Sequence, residues 1–223
     1  MTGMLASVNS VEEALLVLNA NVDIIDLKQP ALGALGALEN ELVKIIVDKI
    51  QGRRPVSATV GDLPMQPNIV FQAVKDMAAT GVDYVKIGFF PGGDWLGTVE
   101  KLAELTEIKL IAVLFADTQP DLTFIAALKQ AGFNGVMLDT MNKKTGSLTQ
   151  VMNPGDLAQF VGLAQKHNLL CGLAGSLRRQ DIAELKHYQP DYLGFRGALC
   201  RDHQRTAQLD ELSIIQIKLA LNE

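Results

Sequence analysis

The sequence has few cysteines and histidines, and each shortage argues against a class of protein. Its two cysteines, Cys171 and Cys200, are too few for a disulfide framework and favour a reducing compartment. The three histidines show no metal-ligand spacing, so we expect no bound metal. The Walker A loop and the G-x-S-x-G nucleophile motif are also missing, so nothing indicates a nucleotide-binding ATPase or a serine hydrolase.

A basic excess and long apolar runs are missing as well. The net charge of −5 argues against a nucleic-acid surface, which normally needs a basic face. No apolar stretch approaches the roughly 18 residues of a membrane span. The first residues, MTGMLASVNS, lack the charged and apolar regions of a signal peptide. We therefore expect a cytoplasmic protein that binds neither nucleic acid nor membrane.

What the sequence does contain is eight short apolar runs, each followed by a helical segment. The runs begin roughly every 20 to 35 residues, which is the spacing of βαβ units. Eight units in 223 residues predict an α/β fold, namely a (β/α)₈ TIM barrel that forms a single domain over residues 1–223. A doubly wound open sheet is the alternative, but it would place G-x-G-x-x-G after the first strand, where this chain has VNSVEE.

Several of these predicted strands carry ionisable residues at or near their carboxyl ends, where TIM barrels have their active sites. DIIDLK contains Asp26 and Lys28, YVKIGF contains Lys86, and GVMLDTMNKK contains Asp139 and Lys143. Packing alone would favour none of these charges, so we interpret them as candidate catalytic groups. The other predicted strand ends provide further polar or small residues: Ser57 and Thr59, Asp117, Gly175 and Ser176, and Arg196 and Gly197.

Lys86 lies inside an apolar run, where a lysine is costly unless it is paired. It is either one partner of a buried ion pair with Asp26 or Asp139, or a desolvated amine suited to imine or general-base chemistry. Asp26 and Lys28 are two residues apart and face the same side of a strand. They form either a salt bridge at the rim or a pair that exchanges protons during catalysis.

The predicted seventh and eighth strands end in LAGS and FRGALC, at the usual phosphate site of such barrels. Small residues there let a phosphate approach backbone N–H groups. We therefore predict that Gly175, Ser176 and Gly197 bind phosphate and that Arg196 adds a charge-assisted contact. Each glycine taken alone could equally be a turn residue. A positive rim on an acidic protein also indicates a small anionic substrate.

Six motifs occur in order within residues 23–200: DIIDLKQP, VSATVGD, DYVKIG, VMLDT, LAGS and RGALC. Together they resemble the (5-formylfuran-3-yl)methyl phosphate synthase family of methanofuran biosynthesis, known from methanogens and with relatives in methylotrophic bacteria. The resemblance implies a (β/α)₈ lyase that condenses two molecules of glyceraldehyde 3-phosphate into a furan aldehyde phosphate, with loss of phosphate and water. It also implies a lysine Schiff base and neither a metal nor an organic cofactor.

The resemblance implies roles for individual residues too. The family's imine-forming lysine lies four residues after the aspartate of its M-L-D-T motif, which corresponds to Lys143 here. The family then has Asp-Gly where this chain has K-T-G, so Lys144 stays an alternative position for the imine. Asp139 corresponds to the motif's aspartate, and we assign it to hold or deprotonate the imine nitrogen. The residues that correspond to the proton-shuttling positions are Asp26, Lys28 and Lys86.

Two other classes of function stay open at this point. A class I aldolase or a metal-free decarboxylase that acts on a sugar phosphate could use the same lysines, aspartates and phosphate site. A non-catalytic phosphate-binding barrel would not need so many buried charges. For the synthase we expect a triose phosphate as the small-molecule partner and a homo-oligomeric assembly.

Overall fold

The computed structural model describes residues 2–223 and contains the predicted closed barrel of eight parallel strands. Neighbouring strands pair in sequence order, and the last strand closes the barrel against the first. The strands are β1 (Gly3–Val8), β2 (Ile24–Leu27), β3 (Val56–Thr59), β4 (Tyr84–Gly88), β5 (Leu110–Phe115), β6 (Gly135–Asp139), β7 (Leu170–Leu173) and β8 (Tyr192–Phe195).

Helices connect successive strands and pack around the outside of the barrel. The α-helices of the described chain are α1 (Val11–Asn19), α2 (Asn40–Ile50), α3 (Pro67–Ala78), α4 (Trp95–Leu102), α5 (Phe124–Gln130), α6 (Leu148–Val151), α7 (Pro154–Lys166), α8 (Ile182–His187) and α9 (Glu211–Asn222). The one-turn helix α6 was not expected, because the sequence around it reads as a loop. Each helix of residues 2–223 is too short or too polar to cross a bilayer.

Helix α5 starts later than the sequence predicts. Proline is favourable in the first turn of a helix, so Pro120 predicts a helix over residues 120–131. This prediction is wrong at its start, because α5 begins at Phe124. The reason is local: Asp121 Oδ1 accepts hydrogen bonds from both the backbone N–H and the hydroxyl of Thr123, at 2.9 and 2.7 Å. Such an aspartate turn offers the backbone an alternative to the helix. For α4 the sequence predicts residues 93–105, but the helix covers Trp95–Leu102. It starts at Trp95 because the Asp94 side chain accepts a hydrogen bond from the backbone N–H of Gly97 and caps the helix.

Apolar side chains form two cores, one between the sheet and the helices and one inside the barrel. The inner core runs along the barrel interior: Ile24, Tyr84, Ile111, Leu170 and Tyr192 lie at the amino ends of strands, whereas Leu35, Phe90, Phe115 and Ala174 lie at or just beyond carboxyl ends. The polar and charged residues that the sequence singled out therefore share the carboxyl end of the barrel with apolar side chains.

Candidate active site

All nine residues that the sequence nominated for catalysis or phosphate binding line one cavity at the carboxyl ends of the strands. These residues are Asp26, Lys28, Lys86, Asp139, Lys143, Gly175, Ser176, Arg196 and Gly197. Lys144 is exposed and is not part of the cavity wall. The geometry therefore favours Lys143 over Lys144 as the lysine of this loop that faces a substrate.

Asp26 is the most deeply buried carboxylate of the cavity and has no solvent-exposed surface. The strand register aligns Ser7, Asp26 and Ser57 side by side on β1, β2 and β3. Asp26 consequently accepts hydrogen bonds from the Ser7 hydroxyl at 2.8 Å and the Ser57 hydroxyl at 2.7 Å. Lys86 Nζ lies 3.0 Å from Asp26 Oδ1, which confirms the predicted buried ion pair of Lys86.

Asp139, the last residue of β6, interacts with two lysines at once. Its Oδ2 lies 3.5 Å from Lys28 Nζ, and its Oδ1 accepts a hydrogen bond from Lys143 Nζ. Of the two interpretations of Asp26 and Lys28, the salt bridge at the rim is wrong, because Lys28 reaches across the barrel to Asp139. Lys28 follows the last residue of β2, and Asp26 below it is already saturated by Lys86 and two hydroxyls.

This arrangement changes the pKa values of Lys28 and Asp139. Burial lowers the pKa of Lys28 to about 8; the Asp139 carboxylate opposes this change, and the nearby Lys143 and Lys86 cations reinforce it. Burial acts to raise the pKa of Asp139, but the Lys143 and Lys28 cations outweigh burial and hold that pKa well below its ordinary value. The lowered pKa makes the neutral amine of Lys28 accessible near neutral pH, beside an ionised Asp139.

The loop that carries Lys143 is held in place by Asp117, which follows β5. The Asp117 carboxylate accepts hydrogen bonds from the backbone N–H groups of Met141 and Asn142 at 2.7 and 2.8 Å. The Ser176 hydroxyl adds a longer hydrogen bond, 3.4 Å, to the carbonyl of Lys143. The sequence predicted Asp117 at the rim of the barrel. Its hydrogen bonds show that it positions the loop that carries Lys143.

At the end of β7, Gly175 has a φ of +113°, and a Cβ there would lie 2.8 Å from the Thr140 methyl group. Only glycine fits this close approach of two loops. The Arg178 guanidinium lies next to Gly197, with its Nη1 3.0 Å from where a Cβ of Gly197 would be. Arg178 Nη1 is buried and has no hydrogen-bond partner among residues 2–223. Gly175 and Gly197, at the ends of β7 and β8, therefore leave space for a ligand next to Arg178 Nη1, a donor without a partner in the described chain.

Arg196 also lines the cavity, but its hydrogen bonds differ from those we expected. A guanidinium has five N–H donors, and in Arg196 the five hydrogen bonds go to acceptors of the protein itself. These acceptors are both carboxylate oxygens of Glu13 and the carbonyls of Ser7, Arg205 and Ala207. Arg196 is thus left without a donor for the predicted direct phosphate contact. Its partner Glu13 lies 183 residues away, so sequence spacing gave no indication of the pair.

The cavity as a whole has an excess of positive charge. Only two carboxylates, Asp26 and Asp139, line it, whereas the cationic side chains in its wall number six. These are Lys28, Lys86, Lys143, Arg178, Arg196 and Arg205. Such a site attracts a small anion although the protein is acidic overall. Arg178 and Arg205 were not among the residues nominated from the sequence. The position of Arg178, two residues after LAGS, was an available signal.

The chain matches the 4-HFC-P synthase family over residues 4–218. It belongs to this family. A Methylorubrum extorquens protein provisionally named (5-formylfuran-3-yl)methyl phosphate synthase is 42% identical, covering 96% of this chain and 89% of its own. The (5-formylfuran-3-yl)methyl phosphate synthase of Methanocaldococcus jannaschii is 32% identical, covering 96% of this chain and 97% of its own. Membership of the 4-HFC-P synthase family supports a synthase activity.

Solved structures with little sequence similarity share the fold of this 4-HFC-P synthase family member. The 3-hexulose-6-phosphate synthase of Salmonella typhimurium superimposes with a TM-score of 0.70 at 17% identity and covers 99% of both chains. At this level of identity the similarity is evidence for the barrel alone.

Proposed function

We propose that the protein condenses two molecules of glyceraldehyde 3-phosphate into (5-formylfuran-3-yl)methyl phosphate, with loss of phosphate and water, through a lysine Schiff base. We further propose methanofuran biosynthesis as its pathway, which the family resemblance implies. The observation that carries the proposal is the Lys28–Asp139–Lys143 cluster in a cavity rich in positive charge. It combines a nucleophilic amine, an ion pair for proton transfer and attraction for phosphorylated substrates.

We now favour Lys28 over Lys143 as the imine-forming residue. An imine requires a neutral amine, and burial lowers the pKa of Lys28 to about 8. The one carboxylate contact of Lys28 is long, at 3.5 Å, whereas Lys143 directly hydrogen-bonds Asp139. Lys28 is also the more buried of the two, which protects an imine from water.

Lys143 and Asp139 are then the groups that move protons at the imine. Because the pKa of Asp139 is held well below its ordinary value, Asp139 is ionised at neutral pH and has no proton to donate. We assign Lys143 to protonate the hydroxyl group that leaves as the imine forms. The Asp139 carboxylate orients Lys143 and stabilises the positive charge of the protonated imine.

The Asp26–Lys86 pair is proposed to act on the carbon atoms. One triose phosphate must be isomerised to its ketone and the imine converted to an enamine, and both steps move a proton from carbon. Asp26 is fixed by Ser7 and Ser57, so the carboxylate and the Lys86 amine are held ready for this transfer. The enamine then attacks the aldehyde of the second triose phosphate. Phosphate and water are eliminated, the carbon–nitrogen bond to the lysine is broken so that the amine is released, and ring closure gives the furan.

Borohydride trapping tests this assignment. The wild type, Lys28→Ala, Lys143→Ala and the exposed control Lys144→Ala are incubated with glyceraldehyde 3-phosphate, reduced, digested and mapped by mass spectrometry, while furan absorbance is recorded. We expect an adduct on Lys28 and furan from the wild type and from Lys144→Ala. Lys28→Ala should give neither, and Lys143→Ala should form furan about 10²–10⁴ times more slowly.

Other outcomes would redirect the assignment. An adduct on Lys143 that persists in Lys28→Ala would return the imine to Lys143. Trapping without furan would indicate a class I aldolase. A protein that binds phosphate but gives neither adduct nor furan would be a non-catalytic barrel.

A further inference from the structure

Two arginines in the cavity wall have no carboxylate partner in the described chain. None of the ion pairs within residues 2–223 includes Arg178 or Arg205. Arg196, between them in the sequence, is by contrast fully occupied by Glu13 and backbone carbonyls. Half-buried cations without an anion are unfavourable unless a ligand supplies the charge. The two arginines therefore mark two positions for anionic groups.

The two positions are held by different loops. Arg178 follows β7 and lies against Gly197. Arg205 belongs to the segment between β8 and α9, and its Nη2 donates to the carbonyl of Gly33 at 2.9 Å, in the loop after β2. This is the one hydrogen bond that the Arg205 guanidinium makes within residues 2–223, so most of its donors stay available.

The rest of the protein fixes both sides of Arg205. The backbone carbonyl of Arg205 accepts a hydrogen bond from Arg196 Nε at 2.8 Å. On the other side, Asp62 holds the loop after β2 by accepting from the backbone N–H groups of Ala34 and Leu35, at 2.8 and 2.7 Å. Arg205 is therefore preorganised in the cavity wall.

We infer that Arg205 binds the phosphate of the second triose phosphate, while Arg178 and the backbone around Gly175 bind the phosphate of the first. This inference rests on the proposed function, in which two triose phosphates bind and two phosphate sites are therefore needed. It makes Arg205 a binding residue for a phosphate monoester and gives Arg196 the task of positioning the Arg205 loop. Because a guanidinium matches phosphate oxygens in a bidentate manner, lysine is expected to replace Arg205 poorly.

Calorimetry with sn-glycerol 3-phosphate measures the number of phosphate sites directly. This probe has the phosphate but no carbonyl, so it can neither form an imine nor condense. We expect two molecules per chain for the wild type and one for Arg205→Met or Arg178→Met. Arg201→Met is the matched control, because Arg201 lies in the same segment but is exposed and outside the cavity wall; it should still bind two.

Kinetics separate the two substrates. Arg205→Met should still trap one triose phosphate with borohydride at the wild-type rate, but furan formation should fall about tenfold to a hundredfold, as expected for loss of a charged hydrogen bond. Arg205→Lys should recover only part of this loss, and both variants should match the wild type in circular dichroism. Calorimetry would overturn the inference with one bound probe in the wild type, or two in Arg205→Met.

The failure of the proposed function would look different. If the wild type forms no furan, the synthase proposal fails, yet the stoichiometry of the probe still decides whether Arg205 forms a second phosphate site. If the wild type forms furan and Arg205→Met does so at the same rate, the synthase stands and the role of Arg205 is refuted.

Discussion

Asp26 and Asp139 are both buried carboxylates inside the barrel, but they differ in their supply of positive charge. Asp26 has one lysine and two serine hydroxyls, so its oxygens are saturated and one cation balances one anion. Asp139 has two lysines, Lys28 and Lys143, for a single negative charge. Burial lowers the pKa of Lys28, the more buried of the two lysines, and the Lys143 cation adds to this change, while Asp139 opposes it. We call Asp26 with Lys86 the balanced pair, and Asp139 with Lys28 and Lys143 the unbalanced cluster. In the proposed function the unbalanced cluster provides the nucleophilic amine, and the balanced pair is fixed in place for proton transfer at carbon.

The largest expected effect breaks the unbalanced cluster. Asp139→Asn keeps the shape of the side chain but removes the charge that holds Lys28 and Lys143 together. The two cations then repel and Lys143 loses its position, so we expect kcat/KM for furan formation to fall by about 10²–10⁴-fold. Asp121→Asn, at an exposed aspartate outside the cavity wall, serves as the control and should leave the rate unchanged. A loss of less than tenfold in Asp139→Asn would contradict this account.

Disrupting the Asp26–Lys86 pair should instead have its largest effect on the stability of the fold. Lys86→Met leaves Asp26 as an uncompensated buried charge, so the free energy of unfolding should fall by about 3–5 kcal/mol. Lys143→Met leaves Asp139 with Lys28, and the loss should be no more than about half as large. Urea unfolding, followed by circular dichroism, measures both. Equal losses of unfolding free energy in Lys86→Met and Lys143→Met would contradict the view that Asp26 depends on one lysine whereas Asp139 has two.

The smallest expected effect is the pH dependence of imine trapping at Lys28. Because only the neutral amine of Lys28 attacks a carbonyl, the rate of borohydride trapping should rise from pH 6 and level off above the lowered pKa of about 8. Between pH 7 and pH 9 the increase should be about tenfold. In Asp139→Asn the midpoint should move below 8, since a carboxylate that raises the pKa of Lys28 is gone. A wild-type midpoint near the ordinary lysine value of 10.5 would refute the role of burial.

The sequence was sufficient to predict the barrel and nine of the residues that line its cavity, but not Arg178 or Arg205. The carboxyl ends of parallel strands lie at the same end of the barrel. Charged residues at these ends are therefore close in space even when they are far apart in the sequence. Helix boundaries were less predictable where side chains compete with the helix, as Asp121 does before α5. The catalytic and phosphate-binding roles assigned from the sequence stay predictions.

Partners within the cavity could not be inferred from spacing. The period of two along a strand suggested that Lys28 pairs with Asp26, but the choice depends on which carboxylate is already saturated. Asp139 lies 111 residues from Lys28. Arg196 was expected to contact phosphate, and its pairing with Glu13 depends on how α1 packs beside the end of β8. Such choices are made by three-dimensional packing and desolvation, which a single sequence does not contain.

The closed strand order has a consequence for how activity depends on assembly. Asp26 and Lys86 lie in the first four strands and Lys28 directly follows β2, whereas Asp139, Lys143 and Arg178 belong to the last four strands or to the loops after them. Each half of the chain therefore contains only part of the cavity wall. A fragment ending between β4 and β5 would retain Lys28, the proposed nucleophile, without Asp139 beside it. We consequently expect turnover from the complete ring and not from either half.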